Sequence, residues 1–156
     1  MDPTTHLHTL RTRMLGVSVE ERRLAANSLL IYVGGAPGDE DRVTVWLEPT
    51  WHLCGPDRVI AGSRQAQEED SPEGTGQPSG FEQVAEAVDL LIGRRLESLS
   101  VDPLTFDLTL LFDGGYIVRT FASDPRDDHS WHISDPAAAF VLEGSPSGLL
   151  LRPYRA

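Results

Sequence analysis

The stretch WHLCGPDRVIAGS occupies residues 51–63, and WHISDPAAAFVLEGS occupies residues 131–145. Both run tryptophan, histidine, a short apolar alternation, a proline-containing turn and then glycine-serine. The likeness extends outward. At an offset of 80, Gly34-Gly35 aligns with Gly114-Gly115, Trp51-His52 with Trp131-His132, and Pro56 with Pro136. Upstream the offset is 77, pairing Leu15-Gly16 with Ile92-Gly93 and Val19-Glu20 with Leu96-Glu97. Downstream it is 82, pairing Gly62-Ser63 with Gly144-Ser145. Insertions in loops produce such drift, so the chain reads as one module written twice. Two copies are too few for a solenoid, and predict one pseudo-twofold domain or two like domains packed together.

Within each copy hydrophobicity alternates with period two, the mark of a half-buried strand. Leu108, Leu110 and Phe112 alternate with Thr109 and Leu111, and Asp113-Gly114-Gly115 supplies a hairpin turn into a strand over 116–121. The matching strands in the first copy are 28–33 and 43–47, joined by the longer, acidic GGAPGDED. Short strands around 51–53 and 58–61 have partners at 130–133 and 138–143, and opening strands cover 17–24 and 94–101. Ser79-Gly80-Phe81-Glu82 fits a capping box, ahead of Phe81, Val84, Ala85, Val88 and Leu91 at helical spacing. The counterpart helix, 5–15, puts Leu7, Leu10 and Met14 on one face. The expected fold is α+β and β-dominated: a duplicated helix-plus-antiparallel-meander unit forming a barrel or sandwich with pseudo-twofold symmetry. The units span 1–63 and 79–156 and are expected to share one compact domain. Between them, 64–78 carries four acids and no large apolar side chain, which predicts a flexible linker.

The 24 acids outnumber the 13 basic residues, all arginine, for a formal charge of −11. That balance argues against nucleic acid and favours basic partners. No apolar run is long enough to span a bilayer, and the N-terminus lacks the layout of a signal peptide, so a cytoplasmic protein is expected. Cys54, the single cysteine, excludes an internal disulfide and any zinc site built from several thiolates, and reads as a small apolar side chain near the core.

The paired Trp-His words admit two readings. Trp51 and Trp131 can anchor the core, leaving His52 and His132 on the opposite strand face in solvent. Alternatively, all four meet at a shared site on the pseudo-twofold axis. Leu30, Tyr32 and Trp46 are expected to face outward on adjacent strands as an apolar patch of the kind that marks contact surfaces. Leu111, Ile117 and Phe121 are the equivalents, and the two patches could also cover each other.

Signals for chemistry are sparse. In DPRDDHSWH, Asp127, His129 and His132 are candidates for one divalent metal, without counterpart in the first copy. GSPSG, 144–148, has proline where a nucleophile elbow needs serine. His52 and Cys54 share a strand face, but the sequence supplies neither an orienting third residue nor an activating cation. Asp102 and Asp107 bracket a bend. No catalytic residue and no cofactor is assigned.

The words TFDLTLLFDGGYIVRTF and WHISDP resemble a family of small, mostly actinobacterial proteins of unknown function. The resemblance covers most of the chain outside 64–78 and implies a fold without an activity. Two functional expectations follow. The first is a non-catalytic protein-binding module, with an immunity-type protein that neutralises a basic toxin as one instance, binding through Tyr32, Trp46, Trp51, His52, Trp131 and His132. The second is a small-ligand-binding protein or metal-dependent hydrolase with its site between the repeats. A homodimer through the Trp46 face is a further, structural option.

Overall fold

A computed structural model describes residues 1–35 and 38–155. Helix α1 (Pro3–Met14) starts where the side chain of Asp2 accepts the Thr5 N–H at 2.9 Å, and it buries Leu7, Leu10 and Met14 as their spacing predicts. Strands β1 (Val19–Ala25), β2 (Ser28–Val33), β3 (Val43–Leu47), β4 (Trp51–Cys54) and β5 (Val59–Gly62) follow. Two helices, α2 (Ser63–Ala66) and α3 (Gly80–Val88), and a 3-10 turn (Asp89–Leu91) lead to the second half. That half comprises β6 (Leu96–Val101), β7 (Leu108–Phe112), β8 (Tyr116–Thr120), β9 (Trp131–Asp135), β10 (Phe140–Ser145) and β11 (Gly148–Pro153).

The strands form two antiparallel sheets, ordered β1-β2-β3-β9-β10-β11 and β5-β4-β8-β7-β6. The architecture is β-dominated α+β, and the sheets do not close into a barrel. Each half of the chain gives three consecutive strands to one sheet and then crosses to the other, so that β3 pairs with β9 and β8 with β4. Trp51 and Trp131 begin the strand after each crossing. The segments leading into β1 and β6 also meet. Gly16 N–H donates to the Leu96 carbonyl at 2.7 Å, and Gly93 N–H donates to the Val19 carbonyl at 2.8 Å.

The inner faces of both sheets fill one core. Trp51 and Trp131 lie in it at 0% and 1% exposure, with Leu29, Val45, Leu53, Leu110, Phe112 and Ile133. Each indole also ties down a turn in the other sheet. Trp51 Nε1 donates to the Asn27 carbonyl, and Trp131 Nε1 to the Phe106 carbonyl, both at 2.8 Å. Phe106 has φ +60°, a conformation that bulky L residues rarely adopt. Hydrogen bonds from Phe106 N–H to the Asp102 carbonyl and from Asp102 N–H to the Asp107 carbonyl hold it there.

Several expectations require correction. Glycine-serine is a turn-forming composition, but neither Gly-Ser word is a turn here. Gly62 ends β5, and the Ser63 hydroxyl accepts the Trp51 N–H at 3.1 Å. Gly144-Ser145 lies within β10, where a Cβ on Gly144 would fall on the Trp131 indole. The stretch 64–78 begins helically: α2 buries Ala66 and packs on α3, and the Glu68 carbonyl accepts the Phe81 N–H at 2.9 Å. Residues 67–78 are exposed throughout. Strand β11 was not anticipated, because GLLLRP lacks alternation. No helix among the described residues is long and apolar enough to cross a membrane.

Candidate partner-binding face

With the inner faces committed to the core, the outer faces of the sheets carry the remaining candidates. Across the six-stranded sheet, register aligns Arg23, Leu30, Trp46, His132, Glu143 and Leu150 in one row. The neighbouring row contains Glu21, Tyr32, Thr44, Ser134, Val141 and Arg152. The Trp46 and His132 rings stack, with centroids 5.4 Å apart and planes 19° from parallel. Leu30 and Val141 are buried yet stand outside the main core cluster, because they pack within this outer layer. The Arg42 guanidinium lies 3.6 Å over the Tyr32 ring and 3.3 Å from Glu21, and Arg152 bonds Glu143 at 2.5 Å. The face thus has an aromatic centre bordered by charge pairs. The Trp46 Nε1 is shielded and has no hydrogen-bond partner among the described residues.

Thus Tyr32, Trp46 and His132 come together, and the other candidates do not join them. Trp51 and Trp131 are core residues. His52 sits on the outer face of the five-stranded sheet, opposite Arg119 and edge-on to Phe121 at 4.7 Å. A single Trp-His site on an axis is therefore not formed. Nor do the two outward patches meet: Leu111 and Ile117, with Cys54, lie on the outer face of the five-stranded sheet. The core-anchor reading leaves both histidines in solvent, and neither is exposed. Strands β4 and β9 lie inside their sheets with neighbours on both sides, so side chains of adjoining strands wall in their outward residues. Burial pushes the His52 imidazole below its usual range, with Arg119 adding to the effect. Burial does the same at His132, against the opposing pull of Glu143.

The metal candidates disperse as well. Asp127 uses one carboxylate oxygen to accept the N–H groups of Ser123 and Asp124 at 3.2 Å each, which staples its loop. His129 is exposed, and His132 is committed to the Trp46 stack. Among the described residues, no group of three or more His, Cys, Asp or Glu side chains could hold a metal.

One polar cluster escaped the sequence reading. Asp135, fully buried at the end of β9, receives both terminal nitrogens of Arg13 from α1 at 2.5 and 3.0 Å. His6, also at 0% exposure, lies 3.9 Å from the same carboxylate and edge-on to Phe140. Neither of its ring nitrogens has a hydrogen-bond partner among the described residues. Signals for this cluster were present: His6, Leu10 and Arg13 share a helical stripe, and Asp135 follows Trp131 and Ile133 at the inward period of β9. His6 and Asp135 are both fully buried, and the geometry of the cluster fastens α1 to the sheet.

No protein-family model matches the chain, and no curated protein matches it.

Burial is the largest cause of the lowered imidazole pKa at His6, His52 and His132 alike. A histidine whose folded pKa lies below its unfolded value, about 6.5, contributes stability that is present above that pH and lost as pH falls toward the folded value. The melting temperature is accordingly expected to be level between about pH 7 and 8 and to fall from about pH 6.5 downward, before carboxylates titrate. Thermal scans across this range check it. A flat profile down to about pH 5 would mean that the imidazoles protonate freely in the folded protein.

Proposed function

We propose that this chain is a non-catalytic protein-binding module that presents Tyr32, Trp46 and His132 to a basic partner. The observation that carries this reading is the Trp46–His132 stack at the centre of an outer sheet face whose margins hold paired charges. Aromatic side chains with few rotatable bonds make effective interface anchors. The charge of −11 speeds encounter with a cationic surface and makes it salt-sensitive. An immunity-type protein that neutralises a basic toxin enzyme fits this description, and the unpaired Cys54 suits the cytoplasm.

Internal duplication belongs to the same proposal. Its support is the crossing pattern, in which β1-β2-β3 with β9-β10 corresponds to β6-β7-β8 with β4-β5. The reciprocal bonds Gly16 to Leu96 and Gly93 to Val19 exchange residues that the repeat alignment equates. A self-complementary contact of this kind is what a twofold imposes. Fusion of two like modules also explains why each tryptophan fastens a turn in the opposite sheet.

The test is affinity capture from the native host with the wild type, Trp46→Ala and Tyr32→Ala, at low and high salt. The wild type is expected to retain a stoichiometric basic protein that salt releases. Truncating Trp46 should weaken that complex by about 2 kcal/mol or more, roughly thirtyfold. Capture that is equal for all three proteins would overturn the reading. So would a hydrolase turnover that His132→Ala abolishes.

A further inference from the structure

Sheet edges expose unpaired backbone groups, and among the described residues the four edge strands are β1, β11, β5 and β6. Three of them are blunted. Strand β1 carries Glu20, Glu21, Arg22 and Arg23 and breaks register between Val19 and Glu21. Strand β5 has four residues, and its pairing with β4 is irregular. Strand β6 breaks register between Leu96 and Ser98, and its lead-in is bridged to that of β1. Strand β11 differs. It pairs with β10 through six successive residues without a shift, and Gly148–Leu151 carries no charge.

Its register with β10 sets which backbone groups stand open. Tyr154 N–H donates to the Ala139 carbonyl at 2.8 Å, toward the β10 side. By antiparallel alternation, Gly148, Leu150 and Arg152 also bond toward β10, and Leu149 and Leu151 turn their N–H and C=O groups outward. Pro153 falls in the outward set and, lacking an N–H, ends the usable edge.

We propose that β11 pairs antiparallel with β11 of a second copy about a twofold at Leu150, joining two six-stranded sheets into one. In this register Leu149 lies opposite Leu151 of the second copy and exchanges both backbone bonds with it, and the reverse holds by symmetry. Leu150, 58% exposed, meets its own counterpart at the axis, in a pair without hydrogen bonds, where side chains approach most closely. Arg152 falls opposite Gly148 of the second copy. There a groove of about 280 Å³, lined by Asp128, Ser147 and Gly148, supplies the Asp128 carboxylate, while Glu143 in the same groove stays bonded to Arg152 of its own chain. Arg152, 47% exposed beside its own Glu143, therefore gains Asp128 of the other copy as a second carboxylate, a local attraction set against the repulsion between two chains of charge −11. The proposal is independent of the partner reading and leaves Trp46 uncovered.

Sedimentation of the full chain at high protein concentration, with amide hydrogen exchange on the same samples, provides the test. The wild type is expected at twice the 17.1 kDa chain mass, with the Leu149 and Leu151 amides protected. Leu150→Lys places like charges across the axis and changes only a solvent-facing side chain. It is expected to sediment as a folded monomer in which those two amides exchange freely. A monomeric wild type would overturn the proposal. So would a dimer that persists in Leu150→Lys, or one in which the Leu149 and Leu151 amides exchange freely.

Discussion

Trp131→Ala is expected to destabilise the protein by about 3–5 kcal/mol, the usual range for truncating a fully buried tryptophan. For a domain of this size that lowers the melting temperature by roughly 10–15 °C. Three losses combine. The indole leaves a cavity in a core shared by both sheets, where it is 1% exposed. Gly144 packs directly beneath the ring and has no side chain to fill that space. The Phe106 carbonyl loses the Nε1 donor that helps hold its positive-φ turn. Trp51→Ala should fall in the same range but at the milder end. A Cβ on Gly62 would meet the Trp51 backbone carbonyl and the His52 Cβ rather than the Trp51 indole, so the neighbour has more room to relax. Trp131→Phe keeps most of the apolar volume and isolates the hydrogen bond, at about 1–2 kcal/mol. Urea unfolding of the variants checks the ordering. A loss below about 1 kcal/mol in Trp131→Ala would mean that the tryptophans are not structural anchors.

Much of this arrangement could be read before the structure. Alternation through Leu108, Leu110 and Phe112, and through Val43, Val45 and Leu47, identified strands that bury those side chains. The Ser79 and Glu82 pair marked a helix start, and the Ser79 hydroxyl does accept the Glu82 N–H. The outward set of Tyr32 and Trp46 followed from the same period-two logic. What failed was mostly long-range. Local pattern does not state which strand neighbours which, so the crossing of β4 and β9 into the other half's sheet, and the stacking of His132 on Trp46 that results, were not available. The histidines illustrate this. Period two correctly put His52 and His132 opposite the core, but their shielding depends on Arg119, Phe121 and Trp46, which pairing brings alongside. Strand β11 failed for another reason. Leu149 and Leu151 pack inward near α1, and Leu150, on the solvent face, is equally apolar, so the alternation that signals a strand is erased.

The His6–Asp135–Arg13 cluster gives the second large effect. Arg13→Met removes the guanidinium and retains much of its apolar length, leaving the Asp135 carboxylate fully buried without its cation. Removing one partner of a buried ion pair costs about 3–5 kcal/mol, because the remaining charge is neither solvated nor paired. Removing Asp135 instead is less severe, since Arg13 is 37% exposed and can rehydrate, so Asp135→Asn should cost less than Arg13→Met. The pH dependence separates this account from simple loss of packing. In the wild type, burial holds the His6 pKa down, Asp135 raises it and Arg13 lowers it again. In Arg13→Met the last effect disappears, and His6 can take up a proton whose charge offsets the buried carboxylate. The folded variant then binds more protons than the folded wild type, so the stability gap between them must narrow as pH falls. Measured by urea unfolding, the gap is expected to be largest at about pH 8 and smaller by at least about 1 kcal/mol near pH 5.5. An unchanged gap across that range would show that water reaches Asp135 once the arginine is gone, and that the cluster stabilises α1 by packing alone.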